Sequence, residues 1–189
     1  MTRVIAGELR GRLLKVPEAG TRPTAERVRE AVFSTLTSLD ALAEVCVLDL
    51  FAGSGALGIE AISRGANNCV FIENHKNAVA VINKNIEDLN VNAQVIDAKV
   101  ETLLNAKPAE KLNMPAQLIF LDPPYEMPLE QISKVITQGL KNAWFSADAI
   151  LVIETSKRSG DFVWPDGFES IRDKSYGDTC VWYGQVCKK

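Results

Sequence analysis

The fold can be predicted from the stretch Val45-Cys46-Val47-Leu48-Asp49-Leu50-Phe51-Ala52-Gly53-Ser54-Gly55-Ala56-Leu57-Gly58. Its apolar, β-branched start predicts one buried strand, and the residues from Ala56 to Arg64 have helical composition. The three glycines between and within these elements fit GxGxxG. In that motif the first glycine allows the turn, the second lets a ligand approach the backbone and the third lets the helix pack against the strand. The motif predicts a nucleotide-like ligand, although Gly-x-Gly turns also end ordinary strands.

The composition indicates one main hydrophobic core. The chain has 189 residues, of which 47% are hydrophobic, and this length favours a single domain with room for a small appendage. We find no apolar run of 18 residues and no signal-peptide core, so we expect a soluble, cytoplasmic protein without membrane contact. The four scattered cysteines lack Cys-x-x-Cys spacing, which favours reduced core residues over metal ligands.

The charge is distributed unevenly along the chain. The net charge is -3, but residues 1–30 hold seven basic and four acidic side chains and therefore carry +3. A basic N-terminal element on an acidic body predicts that any contact with nucleic acid begins there. A solvated helix face is the alternative explanation. In the helix that we predict for residues 25–39, Val28, Val32, Phe33 and Leu36 should face the body. Near the exposed start of the helix this leaves Arg22, Arg27 and Arg29.

Strands and helices alternate regularly through most of the sequence. A predicted N-terminal hairpin (3–6 and 12–16) precedes the first helix, for which Thr24 is the expected N-cap. The other predicted strands are 45–50, 68–73, 93–97, 117–121, 149–154, 168–174 and 179–186, and the other helices 56–64, 75–89, 100–106 and 129–141. The pattern predicts an α/β fold: a doubly wound, mainly parallel sheet that ends in an antiparallel hairpin.

Acidic residues follow several predicted strands, at the edge where doubly wound sheets bind ligands. They are Asp49, Glu73, Asp97 and Asp122. Glu73 lies 20 residues after Gly53, the distance at which a carboxylate can accept hydrogen bonds from both ribose hydroxyls. An acid that simply faces water at a strand end is the alternative.

The segment Asp122-Pro123-Pro124-Tyr125 is a more specific signal, for which a simple proline turn at the end of a strand is the alternative. The two prolines fix the backbone, so that a carboxylate, a carbonyl and an aromatic ring form a stiff array at the end of a strand. A flat base could donate its exocyclic amino group to Asp122 and to the Pro123 carbonyl while it stacks on Tyr125. These acceptors would localise the nitrogen lone pair and turn it toward an electrophile.

Together these residues resemble the class I S-adenosylmethionine-dependent methyltransferases that modify amino groups. The N-terminal segments Arg3-Val4-Ile5-Ala6-Gly7, Gly11-Arg12 and Thr21-Arg22-Pro23-Thr24-Ala25-Glu26-Arg27-Val28-Arg29-Glu30 make the chain similar to the RsmD family. That family methylates guanine N2 in bacterial 16S ribosomal RNA. The resemblance extends from Arg3 to the turn Tyr176-Gly177 and implies a Rossmann-like, seven-stranded sheet.

The resemblance also implies a role for each part of the site. The loop from Asp49 through Phe51, Gly53 and Ser54 to Gly55 would hold the methionine part of S-adenosylmethionine, Glu73 the ribose, and Asp97 with Ala98 the adenine. The segment from Asp122 to Tyr125 would hold the target guanine. The RNA-facing residues would be Arg10, Arg12, Arg22, Thr24 and Arg27. Many relatives have an Asp where this chain has His75, which affects only the ribose edge.

The implied organisation has two parts: residues 1–40, an RNA-facing hairpin and helix, and residues 41–189, the methyltransferase domain. The partner would be ribosomal RNA, free or within an assembled small subunit. No metal is required, because the cofactor carries its own leaving group and the reaction is an in-line displacement. The target guanine must be unstacked to reach the site.

Three other hypotheses remain open on the sequence. A nicotinamide dehydrogenase shares the glycine motif but needs a substrate domain, and it leaves Asp122 to Tyr125 unexplained. An amino-group methyltransferase that acts on adenine or on protein glutamine shares the core but not the basic N-terminal element. A non-catalytic RNA-binding module would bind no cofactor.

Overall fold

A computed structural model describes residues 1–17 and 23–187, with residues 23–25 described by their backbone only. The strands are β1 (Thr2–Arg3), β2 (Leu13–Leu14), β3 (Cys46–Leu50), β4 (Asn68–Glu73), β5 (Ala93–Asp97), β6 (Ala116–Leu121), β7 (Phe145–Ser156), β8 (Phe168–Tyr176) and β9 (Thr179–Val186). The helices are α1 (Pro23–Ser38), α2 (Ala56–Ser63), α3 (Lys76–Leu89), α4 (Val100–Leu103) and α5 (Leu129–Lys141), with 3-10 turns at Glu110–Leu112 and Lys157–Ser159.

Seven strands form one sheet in the order β5-β4-β3-β6-β7-β9-β8. The pairs among β3 to β7 are parallel, whereas β9 pairs antiparallel with both β7 and β8. The predicted mainly parallel sheet with a terminal antiparallel hairpin is therefore confirmed. The last strand, however, lies inside the sheet, and β8 forms its edge.

Helices cover both faces of the sheet, as predicted. Successive residues of β3 and β6 alternate between two hydrophobic clusters: Leu48 and Leu50 pack with α4 and α5, whereas Val47 packs with α1, α2 and α3. Strands that are buried on both faces need apolar runs, and this requirement explains the sequences of β3 and β6 except at Asp49 and at the exposed Gln117.

The N-terminal hairpin is shorter than predicted. Its strands have two residues each and pair Thr2 with Leu14 and Arg3 with Leu13. The helix begins at Pro23, so the expected N-cap at Thr24 is wrong: the chain uses proline in the first turn, where its missing N–H is not needed. The four predicted apolar residues of α1 are buried, at 3% exposure or less.

The expectation for Arg29 is also wrong. Its side chain is only 6% exposed, and Nη2 donates to the Arg3 carbonyl at 2.8 Å and to Thr2 Oγ1 at 3.2 Å. The strand β1 passes over this side of α1 and removes it from water. Burial lowers the pKa of the Arg29 guanidinium, although the charge of Glu60 opposes the shift.

The cysteines are free thiols; Cys69 and Cys180 are buried, and Cys46 and Cys187 are half-buried. No helix within residues 1–17 and 23–187 is long and apolar enough to cross a membrane.

Candidate active site

The candidate site lies at the carboxyl edge of the sheet, where the strand order reverses. The chain runs from β3 outward to β4 and β5 and then returns to place β6 on the other side of β3. The loops after β3 and β6 therefore diverge and leave a crevice between them, which is the position where open α/β sheets bind ligands.

The loop after β3 adopts an unusual backbone. Gly53 and Gly55 have φ of 57° and 76°, and Phe51, a bulky residue, has φ of 63°. Left-handed backbone at a non-glycine residue is strained and is typical of functional loops. A Cβ placed on Gly53 would meet nothing within 4 Å. The loop therefore forms an open cradle that a side chain would fill.

The third glycine has the packing role that its motif predicts. A Cβ on Gly58 would lie 2.5 Å from Cys69 Sγ on β4, so only glycine lets α2 pack this close to the sheet. The Gly58 N–H also donates to Asp49 Oδ2 at 3.0 Å. This bond orients a fully buried carboxyl at the end of β3.

Burial raises the pKa of the Asp49 carboxyl well above its usual range. The Gly58 N–H opposes that shift, while the negative charges of Asp122 and Glu73 add to it. Asp49 is thus close enough to both other carboxylates to be affected by their charge. Three of the predicted site acids are brought together.

Glu73 fastens the cradle to the end of β4. Its Oε2 accepts from Gly53 N, and its Oε1 accepts from the N–H groups of Asn74 and His75, all at 2.8 Å. These bonds hold the carboxylate in place and leave acceptor capacity for a ribose. His75 contacts Glu73 through its backbone N–H, and its side chain is exposed.

A cavity of about 210 Å³ adjoins Glu73 and includes Phe51, Ala98 and Pro124 in its wall. Of the two residues expected at the adenine, only Ala98 lines this cavity. Asp97 instead forms an exposed ion pair with Lys76 at 2.9 Å. Its assignment to the adenine stays a prediction.

A second, larger cavity has a volume of about 430 Å³. Asp49, Gly53, Ser54 and Asp122 line it, so that the cradle and the segment after β6 share one space. Phe51 lines both cavities. Their combined size suits a nucleoside-sized cofactor beside a flat base. Tyr125 is 38% exposed, as a stacking surface for a base requires.

The larger cavity has walls that the sequence did not indicate. They include Val16 and Pro17 after the hairpin, Glu26 and Arg29 on α1, and Glu154 on β7. Glu26 and Arg29 belong to the N-terminal segment that carries the family resemblance, but that segment did not indicate a place in the cavity wall, because these residues reach the site through tertiary packing. An acid at the end of a predicted strand was the available signal for Glu154.

The N-terminal element is hydrogen-bonded to helix α2 of the body. Buried Glu60 on α2 accepts from Ile5 N at 2.7 Å, Ala6 N at 3.0 Å and Arg64 Nε at 2.7 Å. Ser63 Oγ, on the same helix, accepts from Leu9 N at 3.0 Å.

Asn85 on α3 provides a second anchor. Its Oδ1 accepts from Lys15 N and its Nδ2 donates to Lys15 O, both at 2.9 Å; Nδ2 also donates to Ser54 O at 3.2 Å. One buried amide therefore joins the N-terminal element to the glycine loop.

The predicted RNA-facing arginines are exposed where the structure describes them. Arg10, Arg12 and Arg27 are all exposed, and Arg12 Nη2 also donates to the Asp88 carbonyl at 3.1 Å. Arg22 and the Thr24 side chain lie outside the described residues. The structure thus leaves Arg10, Arg12 and Arg27 accessible to a large ligand.

The fold, the cradle after β3 and the Asp-Pro-Pro-Tyr segment after β6 define a class I methyltransferase that uses S-adenosylmethionine. Residues 2–185 match the family described as "Conserved hypothetical protein 95", and the chain belongs to that family, which confirms the resemblance to RsmD.

Curated relatives carry the name "Ribosomal RNA small subunit methyltransferase D". The Escherichia coli K12 protein is 34% identical over 93% of this chain and 85% of its own length. The Haemophilus influenzae protein is 32% identical over 93% and 89%. The solved structure of Escherichia coli yhhF superposes with a TM-score of 0.87 at 32% identity and covers 100% of this chain and 99% of its own.

Proposed function

We propose that this protein methylates the exocyclic N2 amino group of a guanine in 16S ribosomal RNA, in the cytoplasm and within an assembled small subunit. The names of the relatives support the RNA substrate. The observation that carries the chemistry is that Asp122 and the cofactor loop line one cavity. An amino group held at Asp122 is thereby next to the methionine end of the cofactor site.

The chain's own residues position the target amine. The Asp122 carboxylate and the Pro123 carbonyl accept the two amino hydrogens, while Tyr125 stacks on the base. These contacts rehybridise the nitrogen and aim its lone pair into the cavity. The negative charge of Asp122 also stabilises the positive charge that develops on nitrogen during methyl transfer.

The cofactor site fits S-adenosylmethionine. The open cradle at Gly53 accepts the methionine part, Glu73 accepts from the ribose, and Ala98 with Asp97 borders the adenine. When bound, the cofactor supplies an electrophilic methyl group and its own leaving group.

The division of the chain into residues 1–40 and 41–189 belongs to the same proposal. The N-terminal part contributes Val16, Pro17 and Glu26 to the wall of the larger cavity, and it carries exposed arginines. Arg10, Arg12, Arg22, Thr24 and Arg27 would bind phosphates and guide an unstacked guanine toward Asp122.

Nucleoside analysis of 16S RNA from cells that lack the gene tests the proposal. One N2-methylguanosine should be missing, and the purified protein with S-adenosylmethionine should restore it. The rate of methylation is measured on isolated small subunits and on the same RNA stripped of protein. Faster methylation of the small subunits supports the assembled particle as the substrate. Loss of a methylated adenine, or an unchanged set of nucleosides, contradicts the proposal.

A further inference from the structure

The end of β7 places another acid in the larger cavity. Strands β6 and β7 are parallel, with Phe120 opposite Val152 and Leu121 opposite Ile153. Strand β6 ends at Leu121, and the residues that follow these two pairs along the chain are Asp122 and Glu154. Neighbouring strands lie roughly 4.8 Å apart. Both line the larger cavity, and so does Val152, two residues before Glu154. The alternation along β7 thus directs Glu154 to the same face as Asp122.

The ring atom beside the exocyclic amino group differs among the three bases that carry such a group. In guanine the N2 amino group is flanked by N1, which bears a hydrogen and donates, and by N3, which has a lone pair. In adenine the only ring nitrogen next to the amino group is N1, and in cytosine it is N3; both accept through a lone pair. A carboxylate can only accept, so a second carboxylate on the N1 side of the bound amino group favours guanine and repels the other two bases.

We propose that Glu154 selects guanine by accepting the N1–H while Asp122 and the Pro123 carbonyl accept the N2 amino hydrogens. This inference rests on the proposed function. Glu154 is half-buried in the wall of the cavity, where a bound base excludes water and strengthens both the attraction to a donor and the repulsion from a lone pair. Specificity for the base then comes from β7, next to the strand that carries the amine-holding segment.

The test compares guanine with 2-aminopurine, which keeps the N2 amino group but has a lone pair at N1. Small subunits are reconstituted from RNA that carries either base at the methylated nucleotide, and single-turnover rates are measured for the wild type and for Glu154→Gln. Wild type should methylate 2-aminopurine at least about 100-fold more slowly than guanine. Because a glutamine amide can also donate, Glu154→Gln should be slower on guanine and should bring the two rates within about 10-fold.

For each enzyme, the rate on guanine is divided by the rate on 2-aminopurine. Because the intrinsic reactivity of each base is the same for both enzymes, the change in this ratio from wild type to Glu154→Gln reports the effect of Glu154 alone. Glu169→Gln, on the exposed edge strand β8, is the matched control and should keep the wild-type ratio. Glu154→Asp retains the charge, so it should lower the guanine rate and still reject 2-aminopurine; it replaces the amide variant if that variant does not fold. A wild-type ratio in Glu154→Gln, or equal wild-type rates on the two bases, overturns the inference. A wild type that does not methylate guanine contradicts the proposed function instead.

Discussion

The two halves of the crevice are built differently. On the cofactor side, Glu73 accepts from backbone N–H groups at Gly53, Asn74 and His75, all within one strand-helix-strand unit. On the target side, the walls come from residues near 1, 16, 26, 121, 152 and 181. The bonds that hold the cofactor cradle are local, whereas the larger cavity that the cradle shares with Asp122 is completed only when distant segments are packed together.

This difference indicates how the protein separates cofactor binding from recognition of its RNA. A rigid cradle can bind the same cofactor whatever the substrate, while a cavity assembled from an added N-terminal element can be shaped for one RNA. Variants should therefore affect the two halves separately, apart from residues that connect them.

The largest expected effect is on the cofactor half, in Gly53→Val. Valine requires a strained backbone at φ of 57° and fills the open cradle, so binding of S-adenosylmethionine should be abolished in calorimetry. Gly177→Val is the matched control, because Gly177 has φ of 61°, has equally open surroundings and lies in the β8–β9 turn. Gly177→Val should bind S-adenosylmethionine with wild-type affinity. The same affinity in Gly53→Val would refute the assignment of the cradle to the cofactor.

The next largest effect is on the target half alone. Asp122→Ala removes the proposed acceptor for the amine and should slow single-turnover methylation by about 100-fold or more, or about 2.7 kcal/mol. Cofactor affinity should change little. Asp148→Ala, at an exposed carboxylate on β7, controls for the lost charge and should be fully active. A rate within a few-fold of wild type would contradict the lone-pair mechanism.

Asn85 joins the halves and should affect both. Asn85→Ala leaves the N–H and carbonyl of Lys15 without their buried partner, and we expect the free energy of unfolding to fall by about 2 kcal/mol. Cofactor affinity should also decrease, because Ser54 loses its hydrogen bond. Asn83→Ala, at an exposed amide that donates to the Val79 carbonyl in its own helix, should change neither. Reduced stability with unchanged cofactor affinity would show that the halves are independent.

A pH series can test the raised pKa of the Asp49 carboxyl group. The fold raises the pKa of Asp49 above its unfolded value of 3.8, so its contribution to stability is complete below that value and is lost as the pH rises toward the folded pKa. Asp49→Asn removes this dependence. The variant should therefore gain stability relative to wild type with rising pH, by at most about 1.4 kcal/mol per pH unit. Parallel stability profiles in urea unfolding would contradict the raised pKa.

The smallest effects are expected from the RNA-facing arginines. We consider four single replacements by alanine, at Arg10, Arg12, Arg22 and Arg27. Each should lower the magnitude of the slope of log RNA affinity against log salt concentration by roughly 0.7 to 0.9. Cofactor affinity should stay unchanged. Lys141→Ala, at the end of α5, serves as the control. Unchanged slopes for all four variants at unchanged thermal stability would favour a merely solvated helix face.

Local chemistry explains which features could be predicted. The strand before Gly53, the glycine turn and the helix after it interact with near neighbours, so their residue types alone indicate the fold. The prolines of Asp122-Pro123-Pro124-Tyr125 restrict their own backbone, and the array they form is independent of distant contacts. These two segments were enough to predict the class of enzyme and its cofactor.

Long-range contacts determine the other features of the fold and the site. The composition of a single segment does not reveal such contacts. Arg29 lies beside the predicted apolar face of α1, and its burial depends on β1, whose carbonyl at Arg3 accepts from it. Glu60 and Asn85 look like ordinary helix residues until Ile5 and Lys15, 55 and 70 positions away, supply backbone partners. Glu154 reaches the amine-holding segment only through the register of β7 on β6. A carboxylate or amide acquires such a role when folding removes it from water and brings its partner within hydrogen-bonding distance.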